Sequence, residues 1–171
     1  LLAGLDQPTA GSVHLDGHDL GQFDEDGRAA LRGQVVGFVF QSFQLLPSLT
    51  ALENVMLPLE LAGAADPRGV SLALLKRVGL ADRVTHYPRQ LSGGEQQRVA
   101  IARAFGGPPR VLFADEPTGN LDSATGRDIA DLMFELNREH GTALILVTHD
   151  EGLSRRCARR LRLASGRLVA D

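Results

Sequence analysis

Apolar residues recur along this chain with two periods, and the alternation between them predicts its architecture. Val35-Val36-Gly37-Phe38-Val39-Phe40 is a nearly unbroken β-branched and aromatic run, the pattern of a buried strand. Val111-Leu112-Phe113-Ala114 and Ala143-Leu144-Ile145-Leu146-Val147 read the same way. Between the first two runs the period is helical, so residues 44–105 are expected to be mainly helix. Leu52, Val55, Met56 and Leu59 stand at i, i+3, i+4 and i+7, one face of a helix that Pro58 should kink or shorten. Leu72, Leu75 and Val78 repeat the spacing after a loop at 62–67. A third helix follows Ser92-Gly93-Gly94 and runs to about Phe105, before Gly106-Gly107-Pro108-Pro109 breaks the chain. A fourth, capped by Asp122 or Ser123, carries the face Ile129, Leu132, Met133 and Leu136 and ends at Gly141.

The flanks are more polar. Leu1 to Leu5 reads as the tail of an apolar helix, stopped by Gly4 and Pro8. Residues 12–17 alternate as a half-buried strand leading into a turn. Asp24 to Arg32 is a short helix with acid near its start and Arg near its end. Beyond Asp150 a short Arg-rich helix, with Arg155, Arg156, Arg159 and Arg160 on a solvated face, precedes a terminal hairpin at 160–169. Apolar strands alternating with helices predict an α/β fold whose mostly parallel sheet is covered on both faces. Ligands bind beyond the carboxyl ends of such strands. Gln41, Asp115-Glu116 and His149 stand there.

Composition removes several classes. With 171 residues, 43% of them apolar, the chain is long enough for one core. A net charge of −3 argues against a protein that binds nucleic acid by bulk charge. The single cysteine, Cys157, rules out an internal disulfide framework and a multi-cysteine zinc site. The sequence has no apolar run of about 18 residues and no signal-peptide pattern, so a cytosolic compartment is the expectation. Seventeen of the basic residues are Arg and one is Lys, Lys76.

Two strings carry chemistry. Asp115-Glu116 closes a buried strand, where ionised carboxylates need a cation or donors. Mg²⁺ suits such a place, since it takes carboxylates together with waters and phosphate oxygens. An acidic helix cap or loop turn would read the same. Leu91-Ser92-Gly93-Gly94-Glu95-Gln96-Gln97 is more specific. Its glycines let backbone N–H groups approach an anion, the following helix adds its positive end, and Ser92 adds a hydroxyl. The plain alternative is a Gly-rich linker with a capping serine. Taken singly, Gln41 and His149 read as solvated loop or cap residues.

Leu91 to Gln97 resembles the signature motif of the ABC ATPases. Gln41 resembles the Q-loop residue, Asp115-Glu116 the end of Walker B, Gly119-Asn120-Leu121-Asp122 the D-loop and His149 the H-loop, all in family order and spread over essentially the whole chain. The strings 38–43, 115–122 and 136–141 resemble the short exporter-type group that includes the lipoprotein-releasing, macrolide-exporter and YbbA-type subunits. The resemblance implies a P-loop NTPase fold in which a helical subdomain, about 44–105, is inserted in a RecA-like core. It implies ATP and Mg²⁺ as ligands, with Asp115 and Gln41 in the metal shell and Glu116 polarising the attacking water. His149 would contact the γ-phosphate. Ser92, Gly93, Gly94 and Glu95 would form the face that meets ATP held by a partner copy, and Asp122 would sit at the seam of a head-to-tail homodimer. The implied partner is a membrane permease at the cytoplasmic face of a bacterial inner membrane, with export or extraction of envelope molecules as the task and no nucleic acid involved. Two other readings are a non-catalytic subunit offering only its signature face, and a soluble ABC ATPase.

One element of the family pattern has no counterpart in the sequence. Gly-x-x-x-x-Gly-Lys-Ser/Thr does not occur, and Lys76 in Leu74-Leu75-Lys76-Arg77 has no glycine before it. Leu1-Leu2-Ala3-Gly4-Leu5 resembles the end of the helix that follows this phosphate cradle in the family. The expectation from the resemblance is therefore that the single domain of residues 1–171 is incomplete, short of about 40–50 N-terminal residues by the family's usual length, with the phosphate cradle among them, and that residues 1–171 alone bind ATP weakly or not at all.

Overall fold

The computed structural model describes residues 1–169. Three parallel strands, β3 (Val36–Phe40), β4 (Val111–Asp115) and β5 (Ala143–Val147), form the central sheet in the order β3-β4-β5. Two small antiparallel hairpins flank it in sequence: β1 (His14–Leu15) with β2 (His18–Asp19), and β6 (Arg162–Ala164) with β7 (Arg167–Val169). The helices are α1 (Glu25–Val35), α2 (Ala51–Leu61), α3 (Pro67–Arg77), α4 (Gly93–Ala104), α5 (Ser123–His140) and α6 (Glu151–Ser154). All three predicted apolar strands are present, and their register puts Phe40, Asp115 and Val147 side by side at one end of the sheet.

The main core joins α2, α3, α4 and α5 to β3 and β4. Leu75, Ile101, Leu112, Ile129, Met133 and Leu136 are wholly or almost wholly buried in it, each contributing about 1.5–3 kcal/mol of transfer free energy. Contact between α4 and β3 is close: a Cβ at Gly37 would lie 2.5 Å from the Ala104 carbonyl oxygen, so only glycine fits there. Leu52, Val55 and Leu59 face the core as their spacing predicts. Pro58 does not stop α2, which continues to Leu61. Buried Asn54 supports the same helix. Its side-chain nitrogen donates to the carbonyls of Leu46, Leu49 and Thr50, and its oxygen accepts from Leu46 N–H.

Several expectations need correction. Among the described residues the second face of the sheet is only partly covered, Val36 and Val111 packing against Leu15, Leu20, Leu31 and Val35. Gly37, Val39, Leu112 and Ala114 point into the core, whereas Phe38, Phe40 and Phe113 on the other face are only half-buried. Those rings stack on one another, and Phe38 and Phe40 border a groove of about 330 Å³ with Leu57 and Leu61. No residue of β5 is fully buried, because among the described residues it pairs on one side only. Residues 1–5 form turns and bends rather than a helical end, with Gly4 at φ +68° and its carbonyl accepting from Arg32. The strand read over 12–17 is two residues long. The Arg-rich helix is also shorter than predicted, since α6 ends at Ser154 and the arginines follow it. Arg156 is not merely solvated: it pairs with Asp131 at 2.7 Å and lies over the Phe134 ring of α5. No helix among the described residues is long and apolar enough to cross a membrane.

Candidate functional site

Glu116 follows the last residue of β4. Its N–H donates to the Val147 carbonyl, extending the β4–β5 pairing by one bond. Its φ is +44°, a left-handed conformation that an extended strand does not prepare and that a non-glycine residue adopts at a cost. The turn is held by Gly119 N–H, which donates to the Glu116 carbonyl. The side chain is thereby aimed at the end of β5. There the His149 N–H donates to Glu116 Oε1 at 2.9 Å, His149 Nδ1 lies 2.8 Å from the same oxygen, and Thr148 Oγ1 donates to Oε2 at 3.3 Å. A carboxylate at that distance selects the Nδ1–H form of the ring. Two of the residues picked out in the sequence, 33 positions apart, thus meet directly. The Glu116 side chain is mostly covered and the imidazole is open to solvent.

Asp115 closes β4 beside Phe40 and is exposed, with no hydrogen-bond or ion-pair partner for its carboxylate among the described residues. Gln41 lies one residue beyond β3. Its Nε2 donates to Asn120 Oδ1 at 3.1 Å, and Asn120 Nδ2 donates back to the Gln41 carbonyl at 3.0 Å. Gln41 is thus joined to the 119–122 segment. Asp122 caps α5, its Oδ1 accepting from the N–H groups of Ala124 and Thr125 at 3.0 Å. Hydrogen bonds from Thr125 and Ala124 hold its carboxyl below the usual range.

The 92–95 segment is a capping box. Ser92 Oγ accepts from Glu95 N–H at 3.2 Å, and a Glu95 oxygen accepts from Ser92 N–H at 2.8 Å. That backbone bond, with help from Arg83 at 3.2 Å, lowers the Glu95 pKa against the opposing effect of burial. Ser92 is exposed, and its hydroxyl also supports the Glu95 carboxylate. Gly94 has a second reason to be glycine besides close approach of an anion. A Cβ there would lie 2.6 Å from Thr125 Cγ2, so its absence lets α4 and α5 begin side by side.

Two residues that sequence reasoning missed hold these parts together. Gln97 is completely buried and donates to the carbonyls of Phe40 and Pro117. Its signal was a polar residue on the apolar stripe Gln97, Ile101, Ala104 of α4. Arg103 donates to the carbonyls of Phe43 and Gln44, and burial lowers its pKa.

The ABC transporter family model matches residues 1–119. The chain belongs to the ABC transporter family and has the fold of its ATPase cassettes. It is 61% identical over its whole length to the ABC transporter ATP-binding protein YbbA of Escherichia coli (strain K12), covering 76% of that protein. It is 52% identical over 99% of its length to the lipoprotein-releasing system ATP-binding protein LolD of Legionella pneumophila (strain Paris), again covering 76%. Among solved structures it is similar to the ATP-binding cassette MJ0796 in a dimeric post-hydrolysis state bound to ADP and Pi. The TM-score is 0.87 and the identity 44%, with 97% of this chain and 74% of that one covered.

Proposed function

We propose that this protein is the ATP-hydrolysing subunit of an ABC transporter, driving a membrane permease that exports or extracts envelope molecules. The observation that carries the proposal is the Glu116–His149 contact at the end of the sheet, built on a strained φ at Glu116. A left-handed φ at a carboxylate that also meets an imidazole from another strand supports a position kept for chemistry. Similarity to a lipoprotein-releasing subunit supports the exporter side.

Glu116 accepts the proton of the attacking water or orients it. His149, donating from Nδ1 to Glu116, keeps that carboxylate in place. Its solvent-open ring is the group that would contact the γ-phosphate. Asp115 and Gln41 are the residues that would hold Mg²⁺. An exposed carboxylate without a protein partner, at the strand end next to the one Gln41 follows, fits an ion bound mainly by waters and phosphate, and the described residues contain no all-protein metal cage. When bound, the ion neutralises phosphate charge. The exposed Ser92 hydroxyl and the start of α4 form the face offered to the γ-phosphate of ATP on a partner copy, with Gly93, Gly94 and Glu95 shaping it. Asp122 stands at the seam of that head-to-tail homodimer. The helices of 44–105 act as the subdomain that passes nucleotide-driven motion to the permease, at the cytoplasmic face of the inner membrane.

The test is Glu116→Gln in the protein expressed from its gene's own start codon. ATP binding is expected to persist while turnover falls to a few per cent or less, by the roughly 10²–10⁴-fold typical of a lost general base. Turnover well above that level would reject Glu116 as the reacting carboxylate.

A further inference from the structure

The side chain of Gln97 joins three functional segments at one point. It lies on α4, five residues after the Ser92 cap, and is completely buried. Its Nε2 donates to the Pro117 carbonyl at 2.5 Å and to the Phe40 carbonyl at 3.3 Å. Phe40 immediately precedes Gln41, and Pro117 immediately follows Glu116. Phe40 and Asp115 form the last pair of the β3–β4 ladder; beyond them the two strands part, and the Phe40 carbonyl accepts from Phe43 N–H as well as from Gln97. One amide spans the gap. From the same helix Arg103 donates to the carbonyls of Phe43 and Gln44, both at positive φ. Helix α4 thus grips the Gln41 loop on both sides of Gln41.

Gln97 Oε1 is buried with no partner, a standing cost set against the donor that its Nε2 supplies to the Phe40 and Pro117 carbonyls. The amide is kept for what its two N–H groups connect.

We propose that Gln97 is a positioning residue that locks the ends of β3 and β4, and with them Gln41 and Glu116, to the helix presenting Ser92–Gly94. A change at one nucleotide site is then felt at the face offered to the other. The coupling between sites rests on the dimeric ATPase reading above; the lock itself does not.

The experiment compares Gln97→Met with the unsubstituted protein, both expressed from the gene's own start codon. Expected are a kcat lowered about 10- to 100-fold, as for a small misplacement of reacting groups, a KM for ATP within about twofold, and a modestly lowered Tm, since two carbonyls lose a donor. Amide exchange at residues 41–44 and 118–120 should rise. A kcat like that of the unsubstituted protein would overturn the proposal, and so would a lowered kcat with exchange at 41–44 and 118–120 unaltered, since that marks an ordinary core residue. Should Gln97→Met not fold, Gln97→Asn replaces it: one methylene shorter, it reaches one carbonyl and not both, and an unchanged kcat there overturns the proposal equally. If the unsubstituted protein turns over no ATP, the ATPase reading fails, and exchange alone decides the lock. Unaltered exchange at 41–44 and 118–120 in Gln97→Met would end it.

Discussion

The start of α4 and the carboxyl ends of β4 and β5 are built by opposite means. Ser92 to Glu95 is a contiguous string whose hydrogen bonds close within three residues. Glu116 and His149 come from different strands, and their contact exists only because β4 and β5 pair in one register. The first region holds its shape by helix-capping rules that operate on any helix. The second depends on the whole sheet, and it is where backbone strain is stored. A local motif can therefore be recognised before the fold is known, whereas a paired carboxylate and imidazole cannot.

This contrast can be tested, and the largest effect is expected at the strand ends. Glu116→Gln and His149→Ala should each lower turnover strongly. Because the two share one contact, the double variant should lose less than the product of the two single losses. Losses that multiply in full would show no coupling and dissolve the pair.

At the start of α4 the effects should appear in stability. Gly94→Ala is expected to cost about 1–3 kcal/mol in urea unfolding, from overpacking against Thr125. Thr125→Ser, which removes the offending methyl, should restore most of it. Without that rescue, the glycine's place in the contact between α4 and α5 would be disproved. Ser92→Ala should cost about 0.5–2 kcal/mol through loss of the cap. Full stability in that variant would mean that the capping box does not hold the helix start.

The smallest effect concerns pH. The Glu95 pKa is lowered in the folded state, chiefly by Ser92 N–H, so its ionised form favours folding. That contribution is complete above the ordinary glutamate value of about 4.3 and is lost as pH falls through the lowered folded value. Glu95→Gln keeps an acceptor for Ser92 but does not titrate. The stability gap between the two proteins should be constant at neutral pH and change only in that acid window. A gap constant down to the acid limb would show that Glu95 ionisation does not support the box.

Much of the fold was legible because its signals are periodic. The core faces of α2 and α5 followed from spacing alone, as did the three strands and the polar residues at their ends. The errors fell where pairing partners decide the outcome. The β5 run Ala143–Val147 is as apolar as a central strand, yet a single neighbour leaves it half-exposed. Phe38 and Phe113 were equally apolar to the eye, and only the pleat divided them from Val39 and Leu112. Pro58 sits inside α2 because Asn54 and the surrounding core hold that helix, which no local rule reports. Arg156 was read by its charge, whereas its partners Asp131 and Phe134 come from α5.

By itself the sequence determined the alternation of strands and helices, the capping box at Ser92 and the residue types available at each strand end, because these depend on periodicity and on hydrogen bonds closing within a few residues. Only the tertiary structure decided that Glu116 turns into a left-handed conformation to meet His149, that Gly94 makes room for Thr125, and that Gln97 holds two strand ends with one amide. Those arrangements are set by the register of the sheet and the approach of α4 to it, which are long-range outcomes of packing and are written in no single stretch of the chain.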